Sequence, residues 1–400
     1  MSFVIPRQKI YDLNFFSLKL KNLDNKSNLD NKLRNYFGSK LLKPIFNARI
    51  GIYYAVKKSI SVEKKKVLIC PFTIFDVINM IILAGGQPIF IDSNKNSPHI
   101  SFKEVKKNFK KNIACCIVTH YHDNCPDIDK IAKFCSQKKV KLIEDCALVI
   151  GATIKKKQVG YHGDYAVYSF GLLKTVSTYS MGFLRFKYKK DFAEFRYLNF
   201  QNKNRYLSLI LKALKFKFLM NPLIFNLFVF RIIKFGELFD IKFLKNLTKN
   251  DPGPILRKYL PNIFLTRPND GLLKDVFRQF KLMPEKLKRR RNNYNKYFGL
   301  IKNFRNIHSF KVNLKEDSCI NFPILVKNKS EFVKKIIKNN IDLSPYYYRN
   351  CANLEVFKKF KLKDLKNLDD YVNRLVFFPT YEAVSNNYIH KIVNVLKNKL

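Results

Sequence analysis

The stretch KLIEDCALVIGATIKKKQVGYHGDYAVYSFGLLKTVSTYSMGFLRF, residues 141–186, decides the fold of this chain. Three short apolar runs within it, at 141–145, 165–170 and 182–186, are bounded by turn residues and predict strands. Their apolar character is typical of strands that a sheet buries on both faces. Polar side chains follow where the first two strands end, so the stretch predicts a buried sheet with polar groups along one edge.

Strands and helical segments alternate upstream of this stretch. The further strand candidates are 67–70, 88–91 and 114–119, and the helical stretches between them are 75–85, 101–109 and 127–139. Strands that alternate with helices predict βαβ units and a mostly parallel sheet, which defines an α/β protein.

A second, smaller α/β unit is predicted downstream. It consists of one long helix at 270–305, strands at 320–326 and 375–379, and helices at 330–340 and 385–398. The turn-forming run NDPGP at 250–254 separates it from the rest of the chain.

We therefore expect two domains. The large domain covers 1–255 and contains an N-terminal extension, with irregular structure and short helix over 1–45, and a helical block at 190–255. The small C-terminal domain covers 256–400.

Composition excludes several classes of protein. At roughly 150 residues per domain, 400 residues predict two or three domains. Apolar residues make up 47% and charged residues 26%, both ordinary for a globular chain. Disordered, collagen-like and disulfide-scaffold proteins are excluded on this basis.

The net charge is +46, from 76 Lys and Arg against 30 Asp and Glu. A basic face that binds nucleic acid, anionic lipid or nucleotide-linked metabolites would explain it. A Lys- and Asn-rich composition, in which lysine solvates every surface, explains it equally. The spread of lysine along the whole chain favours the second explanation.

The eight cysteines form no C-x-x-C pair, and several lie in apolar runs where a free thiol acts as a small buried hydrophobe. This pattern predicts a reduced, cytoplasmic location. The N-terminal MSFVIPRQKIYDLNFF has no uninterrupted apolar segment, so no signal peptide is expected.

The segment 205–235 is both apolar and basic. Its longest uncharged run, Phe218–Phe230, contains Pro222 and is shorter than the roughly 20 residues that a membrane span needs. A basic amphipathic helix lying on an anionic membrane is one interpretation. A helical hairpin that breaks at Pro222 and packs on the protein or a second subunit is the other, and we favour it.

Three side chains at the predicted strand ends suggest chemistry. Ligands of doubly wound sheets bind at the carboxyl ends of strands. Asp145 stands at such an end and can hold a cationic heterocycle through a charge-assisted hydrogen bond, although a structural hydrogen bond or helix cap would also explain it. Lys174 lies in an apolar stretch whose burial would lower the pKa of its amine and make it nucleophilic, although a surface lysine is the alternative.

Ser169 lies between the two, and its hydroxyl and nearby amide groups can hold a phosphate. An acid for a pyridinium, a hydroxyl for a phosphate and a lysine for a Schiff base are the three requirements of pyridoxal phosphate (PLP) chemistry. Their order within 30 residues makes coincidence a poor explanation.

At this point the sequence resembles the sugar aminotransferases of the DegT/DnrJ/EryC1/StrS family, which have the fold type I (aspartate aminotransferase-like) architecture. That family carries Glu-Asp-x-Ala, then Gly-Ala, then Gly-Asp-x-x-x-x-Ser-Phe-x-x-x-Lys. Here these motifs stand as Glu144–Ala147, Gly151-Ala152, Gly163-Asp164, and Ser169-Phe170 with Lys174. Further similarity lies at 70–92, 117–131 and 372–396, and the block at 190–260 is poorly matched.

The resemblance implies the fold: a PLP-dependent transferase with a large, mostly parallel sheet flanked by helices and a smaller C-terminal α/β domain. It implies that Lys174 holds PLP, that Asp145 keeps the pyridine nitrogen protonated and that Ser169 binds the phosphate. Phe72 or Phe75 is expected to stack on the cofactor ring, with core packing as the equal alternative.

Four segments depart from the family pattern, and one of them is His122-Asp123-Asn124, which replaces the family's Gly after the His segment. Leu148 stands where the family usually has Gln or His, and 179–182 reads Tyr-Ser-Met-Gly in place of Gly-Glu-Gly-Gly. The phosphate loop Ser-Gly-Thr is replaced within 47–51. There, Arg49 can pair with the phosphate and the amides of Arg49, Ile50 and Gly51 can cradle it at a helix N-terminus. These departures indicate a divergent branch.

For function, the resemblance implies an aminotransferase with an amino-acid donor, glutamate, and a nucleotide-linked keto sugar as acceptor. Its expected setting is surface-polysaccharide or glycan precursor biosynthesis, such as lipopolysaccharide, and its expected assembly is a homodimer. His120 is expected to be structural, and no metal site is expected because His120 and His122 have no third ligand at suitable spacing.

Two other classes of function stay open. A catalytically degraded relative acting as a binding or regulatory partner in a glycan pathway is one. A nucleic-acid-binding protein is the other, but the chain has no aromatic RNA-binding motif and no zinc signature, so no specific nucleic acid is expected.

Overall fold

The computed structural model describes residues 3–9, 31–32, 35–198, 207–247, 253–343 and 348–399. Its strands are β1 (Leu42–Ile45), β2 (Lys66–Ile69), β3 (Phe72–Thr73), β4 (Gln87–Phe90), β5 (Ile113–Thr119), β6 (Lys141–Asp145), β7 (Thr153–Ile154), β8 (Lys157–Gln158), β9 (Tyr165–Ser169), β10 (Gly182–Phe186), β11 (Ile307–Ser309), β12 (Asn321–Val326), β13 (Arg349–Asn350) and β14 (Leu375–Pro379).

The α-helices, with α7 containing a π-helical stretch at Phe225–Val229, alternate with these strands. They are α1 (Ala48–Ser59), α2 (Phe75–Leu83), α3 (Phe102–Asn108), α4 (Ile128–Gln137), α5 (Lys189–Glu194), α6 (Leu207–Leu219), α7 (Pro222–Leu238), α8 (Lys242–Leu247), α9 (Asp270–Phe280), α10 (Met283–Ile301), α11 (Lys329–Lys338), α12 (Lys366–Arg374) and α13 (Asn386–Lys399). Short 3-10 helices lie at Asn262–Leu265, Cys351–Asn353 and Glu355–Phe360.

The large sheet has seven strands in the order β1-β10-β9-β6-β5-β2-β4. The pairs from β4 to β9 are parallel, and β10 runs antiparallel to both β9 and β1. The residues of β5 and β6 are almost all buried, as expected of central strands covered by helices on both faces. The predicted α/β fold with a mostly parallel sheet is confirmed.

The smaller sheet has the order β11-β12-β14 and a core of its own. The Tyr297 ring of α10 stacks on Phe322 with centroids 4.9 Å apart, and α11 and α13 supply further buried aliphatic side chains. The two sheets are joined by the pairing of β3 with β13 and by the Asn124 amide, which donates to the Asp317 carboxylate at 3.0 Å. The domain boundary near 255 stays a prediction.

Two expectations about elements are wrong. The expected single helix over 270–305 is two helices, α9 and α10, separated at Lys281 and Leu282. Pro284 in the first turn of α10 explains the break, because a proline there cannot donate the hydrogen bond that would continue α9.

The expected irregular structure of 1–45 is wrong over 42–45, which form β1 at the edge of the large sheet. This strand depends on pairing with β10, more than 130 residues away, and four residues carry too little periodicity to predict it. Most of the remaining extension, at 1–2, 10–30 and 33–34, lies outside the described residues.

The helical block bends at the predicted proline. The axes of α6 and α7 meet at 64°, and the Asn221 side chain caps the new helix by accepting the Leu223 amide at 3.0 Å. Among the described residues no single helix has the length and apolarity to cross a bilayer, and α6 with α7 passes that test only as a bent pair.

Candidate functional site

Strand register brings three of the predicted site elements to one edge of the large sheet. Asp145 ends β6 opposite Val167 of β9, and Ser169 ends β9 two residues further along. Ser169 lies opposite Gly182, which in turn lies opposite Ile45 at the end of β1. The chain enters α1 three residues after Ile45, so the N-terminus of α1 joins Asp145 and Ser169 at this edge.

The predicted nucleophile Lys174 lies in the loop 170–181, between β9 and β10. The two ends of this loop are hydrogen-bonded to each other, because the Phe170 amide donates to the Met181 carbonyl at 2.8 Å. The Ser180 hydroxyl donates to the Phe46 carbonyl at 2.8 Å, which ties the loop to the chain entering α1. The loop therefore holds Lys174 at the edge that carries Asp145 and Ser169.

Helices α9 and α10 brace the same loop. The Gln279 side chain of α9 donates to the Ser177 carbonyl at 2.6 Å and accepts the Ser177 amide at 2.9 Å. The Lys286 amine of α10 donates to the Thr175 carbonyl at 3.0 Å. Sequence reasoning missed these positioning residues, because nothing local marks a contact across more than 100 residues.

The electrostatics of Lys174 and Asp145 suit a reactive amine. Burial lowers the pKa of Lys174 to about 8, and the negative charge of Asp145 partly opposes that shift. Burial likewise raises the pKa of Asp145, against a 3.1 Å hydrogen bond from the Ala147 amide and the charge of Lys174. A substantial fraction of the Lys174 amine is therefore neutral near physiological pH and can attack a carbonyl.

The preceding carboxylate, Glu144, has a different role. It is fully buried and accepts the amides of Gly160, His162 and Gly163 at 3.0, 2.8 and 2.6 Å, and His120 Nε2 lies 3.2 Å away. Burial alone would raise the pKa of Glu144, but the hydrogen bonds and charges of His120 and His162 hold it well below its usual range. Glu144 therefore fixes the loop 160–163 onto β6.

His120 belongs to this network. Its Nδ1 accepts the Cys125 amide at 3.0 Å, so its Nε2 carries the proton that faces Glu144. Ligand-type atoms of His120, Glu144 and Cys146 lie within 4.8 Å of one another. The hydrogen bonds already explain this grouping, and the absence of a metal from the protein stays a prediction.

The N-terminus of α1 does not leave all three amides of 49–51 available for a phosphate, which corrects the prediction from the sequence. The Ile50 amide donates to the Asn47 side chain at 3.2 Å, so it is already used by the helix cap. A Cβ on Gly51 would lie 2.9 Å from side-chain atoms of Ile45 and Val167, so Gly51 allows α1 to pack closely on the sheet. The first-turn amides left to meet a phosphate are those of Ala48 and Arg49.

Arg49 belongs to a charged cluster that the sequence did not reveal. Its guanidinium pairs with Asp76 of α2, and Arg257 contacts the same carboxylate at 2.6 and 3.1 Å. Burial and the charge of Arg49 together lower the pKa of Lys212 in α6, so Lys212 lies near the cluster. Three cations against one carboxylate give this side of the site a positive potential.

The candidate stacking aromatics are both buried. Phe72 is 1% exposed, and its ring lies 5.1 to 5.5 Å from the rings of Tyr121, Tyr348 and Tyr371. Phe75 starts α2 and is 7% exposed. Ile74, between them, is 45% exposed. The stacking of Phe72 or Phe75 on a cofactor ring stays a prediction.

These residues fit PLP. The donor set provides an amine with a lowered pKa at Lys174, a buried carboxylate at Asp145, and the Ser169 hydroxyl with uncapped helix amides and Arg49 for a phosphate. The strand register places all of these groups at one edge of the sheet.

The family comparison agrees with this geometry. The model of the DegT/DnrJ/EryC1/StrS aminotransferase family matches residues 17–208 and 276–397. The GDP-perosamine synthase of Vibrio cholerae is 27% identical over 134 residues, which are 34% of this chain and 36% of that protein. Three curated relatives are matched over 36% to 44% of their lengths.

Solved structures share the fold over nearly the whole chain. Helicobacter pylori PseC, an aminotransferase involved in the biosynthesis of pseudoaminic acid, superposes with a TM-score of 0.72 at 15% identity and covers 99% of both chains. The putative sugar aminotransferase Spr1654 of Streptococcus pneumoniae, solved in its PMP form, has a TM-score of 0.72 at 13% identity and covers 100% of this chain and 97% of that one.

Proposed function

The chain belongs to the DegT/DnrJ/EryC1/StrS aminotransferase family, and we propose that it is a PLP-dependent aminotransferase that moves an amino group from an amino acid to a nucleotide-linked keto sugar. One observation carries the proposal. The buried Lys174 amine, whose pKa is lowered to about 8, interacts electrostatically with the Asp145 carboxylate at the carboxyl edge of the sheet. Glutamate is the proposed donor.

When bound, PLP supplies an aldehyde that bonds to amines and a protonated ring that accepts electrons. The Lys174 amine would hold the cofactor. Its Nζ, when free, would take the proton from the Cα of the donor as general base and release it again as general acid. A pKa of about 8 suits both tasks, because the amine can accept and release a proton near physiological pH.

Asp145 holds the proton of the ring nitrogen. The Ala147 amide fixes one carboxylate oxygen at 3.1 Å, and this hydrogen bond favours the charged form. The Glu144 network fixes the end of β6 from which Asp145 projects. Asp145 would therefore be held in one orientation towards the ring nitrogen.

Phosphate groups are bound at the N-terminus of α1. The Ser169 hydroxyl and the amides of Ala48 and Arg49 hold the cofactor phosphate, where the helix dipole favours an anion. Arg257 and Lys212 extend the positive potential beyond it. This potential favours an acceptor that carries a diphosphate, as a nucleotide-linked sugar does.

The proposal includes a wider setting. The name of the V. cholerae relative, a GDP-perosamine synthase, and the role of H. pylori PseC in pseudoaminic acid biosynthesis support a place in surface-polysaccharide precursor synthesis, such as that of lipopolysaccharide. We propose a homodimer in the cytoplasm. All eight cysteines are free and buried, which suits a reducing compartment.

The half-reaction with the donor tests the proposal. Purified protein is incubated with PLP and L-glutamate, and release of 2-oxoglutarate is followed together with the change in cofactor absorbance. We expect about one equivalent of 2-oxoglutarate per site. Sustained turnover is expected when a 4-keto sugar linked to GDP, UDP or TDP is added, and mass spectrometry then detects the amino sugar.

The matched control is Lys174→Arg, which keeps the positive charge but cannot hold the cofactor. Equal 2-oxoglutarate release by this variant would overturn the role of Lys174. Failure of the wild-type protein with glutamate and with every other common amino acid would overturn the aminotransferase itself.

A further inference from the structure

The helical block, defined here as residues 207–247, exposes more apolar surface than any other part of the described chain. About half of the described large apolar side chains that are exposed lie in this block, although it is only a tenth of the sequence. The six most exposed of them are Leu211, Phe218, Leu223, Phe228, Phe239 and Phe243. A concentration of exposed apolar side chains in one segment is typical of an interaction site.

The opposite face of the block is anchored to the small unit. Phe225, Phe230 and Ile233 of α7 are buried in the second core. The Asn226 side chain accepts the Val4 amide at 2.7 Å, and the Lys234 amine donates to the Asn340 side chain at 2.9 Å. The expectation that the block packs on the protein is therefore confirmed for one face, and the leucines and phenylalanines named above are exposed on the other.

Cations are interleaved with the exposed apolar residues. Residues 207–236 contain no Asp or Glu and five cations, of which Lys212, Lys215, Lys217 and Arg231 are exposed and Lys234 belongs to the anchored face. The two acids of the block, Glu237 and Asp240, both pair with Lys245. An outward surface that is apolar and positively charged complements an anionic surface with an apolar interior.

The helices of the block are too short to cross a bilayer, so a membrane contact would place them on its surface. Neither α6 nor α7 alone reaches the roughly 20 apolar residues that a span requires, and the 64° bend between them prevents them from forming one rod. The family model leaves 209–275 unmatched, so the architecture shared by the family does not account for this surface.

We propose that the helical block docks on an anionic lipid bilayer. Its exposed leucines and phenylalanines enter the boundary between headgroups and acyl chains, and its exposed cations, among them Lys215 and Arg231, lie on the anionic headgroups. Lys212 of this block lies near Arg49 of the candidate site, so docking places that site close to the membrane surface.

Vesicle flotation with the full chain tests this inference. We expect the protein to float with vesicles of phosphatidylglycerol and phosphatidylcholine, and to bind vesicles of phosphatidylcholine alone at least about tenfold more weakly. Raising the salt concentration should weaken the electrostatic part of the binding. Equal binding to both vesicle types, or no binding to either, would overturn the inference.

Two pairs of variants separate this surface from general basicity. Lys215→Glu with Arg231→Glu should lower partition onto the anionic vesicles by about tenfold or more, since each cation near the surface contributes about 1 kcal/mol. Lys110→Glu with Lys111→Glu makes the same charge change at exposed positions outside the block and should leave binding nearly unchanged. Equal losses in the two variants would contradict the inference.

A second copy of the chain is the competing occupant. Phe218→Ser with Phe228→Ser, compared with Val62→Ser with Leu362→Ser elsewhere on the surface, should reduce flotation without changing the mass measured by light scattering. Circular dichroism checks that each variant folds. Conversion of a dimer into a monomer by the block variant alone would show that a second copy covers the block, and would overturn the inference.

Discussion

The sheet edge around Lys174 and the helical block 207–247 depart from ordinary burial in opposite senses. At the edge, titratable groups are taken out of water, and the pKa values of Lys174 and Asp145 shift as a result. In the block, leucine and phenylalanine side chains are left in water. Both arrangements cost stability. The proposed cofactor would explain the first, and the proposed contact with a bilayer would explain the second.

The two regions also differ in how widely they are shared. The family model covers the edge with 17–208 but leaves out 209–275, which contains nearly the whole block. The difference teaches that the segment shared with the family carries the candidate site, whereas the exposed apolar surface lies in a segment outside the family model. Each of the following predictions tests one side of that division.

The largest effect is expected at Lys174. Lys174→Ala should lower the rate of 2-oxoglutarate release by about 10³-fold or more, because the residue serves both as nucleophile and as proton carrier. The variant should still fold, since no side-chain hydrogen bond of Lys174 holds the loop together among the described contacts.

Lys286 provides a matched control, because burial also lowers its pKa to about 8 and it contacts the back of the same loop. Lys286→Met should reduce the rate by no more than about tenfold, through loss of a loop contact. Comparable losses in the two variants would break the distinction between a catalytic lysine and a positioning lysine.

Substitution of the two neighbouring carboxylates, Asp145 and Glu144, should change different properties of the protein, the reaction rate for the first and the stability for the second. Asp145→Asn should slow 2-oxoglutarate release by about 10²-fold while the midpoint of denaturant unfolding stays nearly unchanged, because the amide cannot hold the ring nitrogen as a charged partner. The steady-state rate and the unfolding midpoint are both measured for each variant.

Glu144→Gln should instead lower the free energy of unfolding by about 3 kcal/mol, because one oxygen that accepts buried amides is lost. A fully stable Glu144→Gln variant with the rate of Asp145→Asn would contradict the assignment of a structural role to Glu144 and a chemical role to Asp145.

Cofactor uptake should depend on pH through Lys174. The neutral amine is the reactive form, so the rate of PLP uptake should rise as pH increases through about 8 and then level off. The charge of Asp145 raises the pKa of Lys174, so the midpoint should move to lower pH in Asp145→Asn. Stopped-flow absorbance measures the rate, and a midpoint that is identical in both proteins would argue against their coupling.

The smallest effect is expected at the rim of the site. Arg257→Gln should raise the Kd for PLP or the KM for the nucleotide sugar by about tenfold, with little change in kcat. The reason is that Arg257 contributes positive potential but does not contact the reacting atoms. Arg305→Gln removes an equal charge at an exposed position and should change neither constant. Isothermal titration and steady-state kinetics compare the two variants.

The sequence predicts the elements that local patterns define. The strands at 141–145 and 182–186 are confirmed at their predicted bounds, and β9 ends one residue early, at Ser169. Asp145 and Ser169 fall at strand ends because the apolar runs stop there. Strand order and register, which bring α1 to the same edge, arise from pairing between distant strands and needed the structure.

The remainder depends on contacts that no local pattern records. Gln279 reaches Ser177 across 102 positions, and Arg257 reaches Asp76 across 181. Ile74 is exposed and Phe72 is buried because of the turn between β3 and α2, which composition alone does not reveal. The sequence of 205–235 could not decide between packing on the protein and contact with a membrane. The structure shows that some residues of the block are buried in the second core and others are exposed.

Reduction of the PLP-loaded protein with borohydride, followed by peptide mapping, tests the central claim most directly. Reduction fixes the cofactor covalently on the amine that holds it, and mass spectrometry identifies that residue. We expect one label per chain, on Lys174, and no stoichiometric label in Lys174→Arg. A label on Lys286, or a substoichiometric label spread over many surface lysines, would contradict the account.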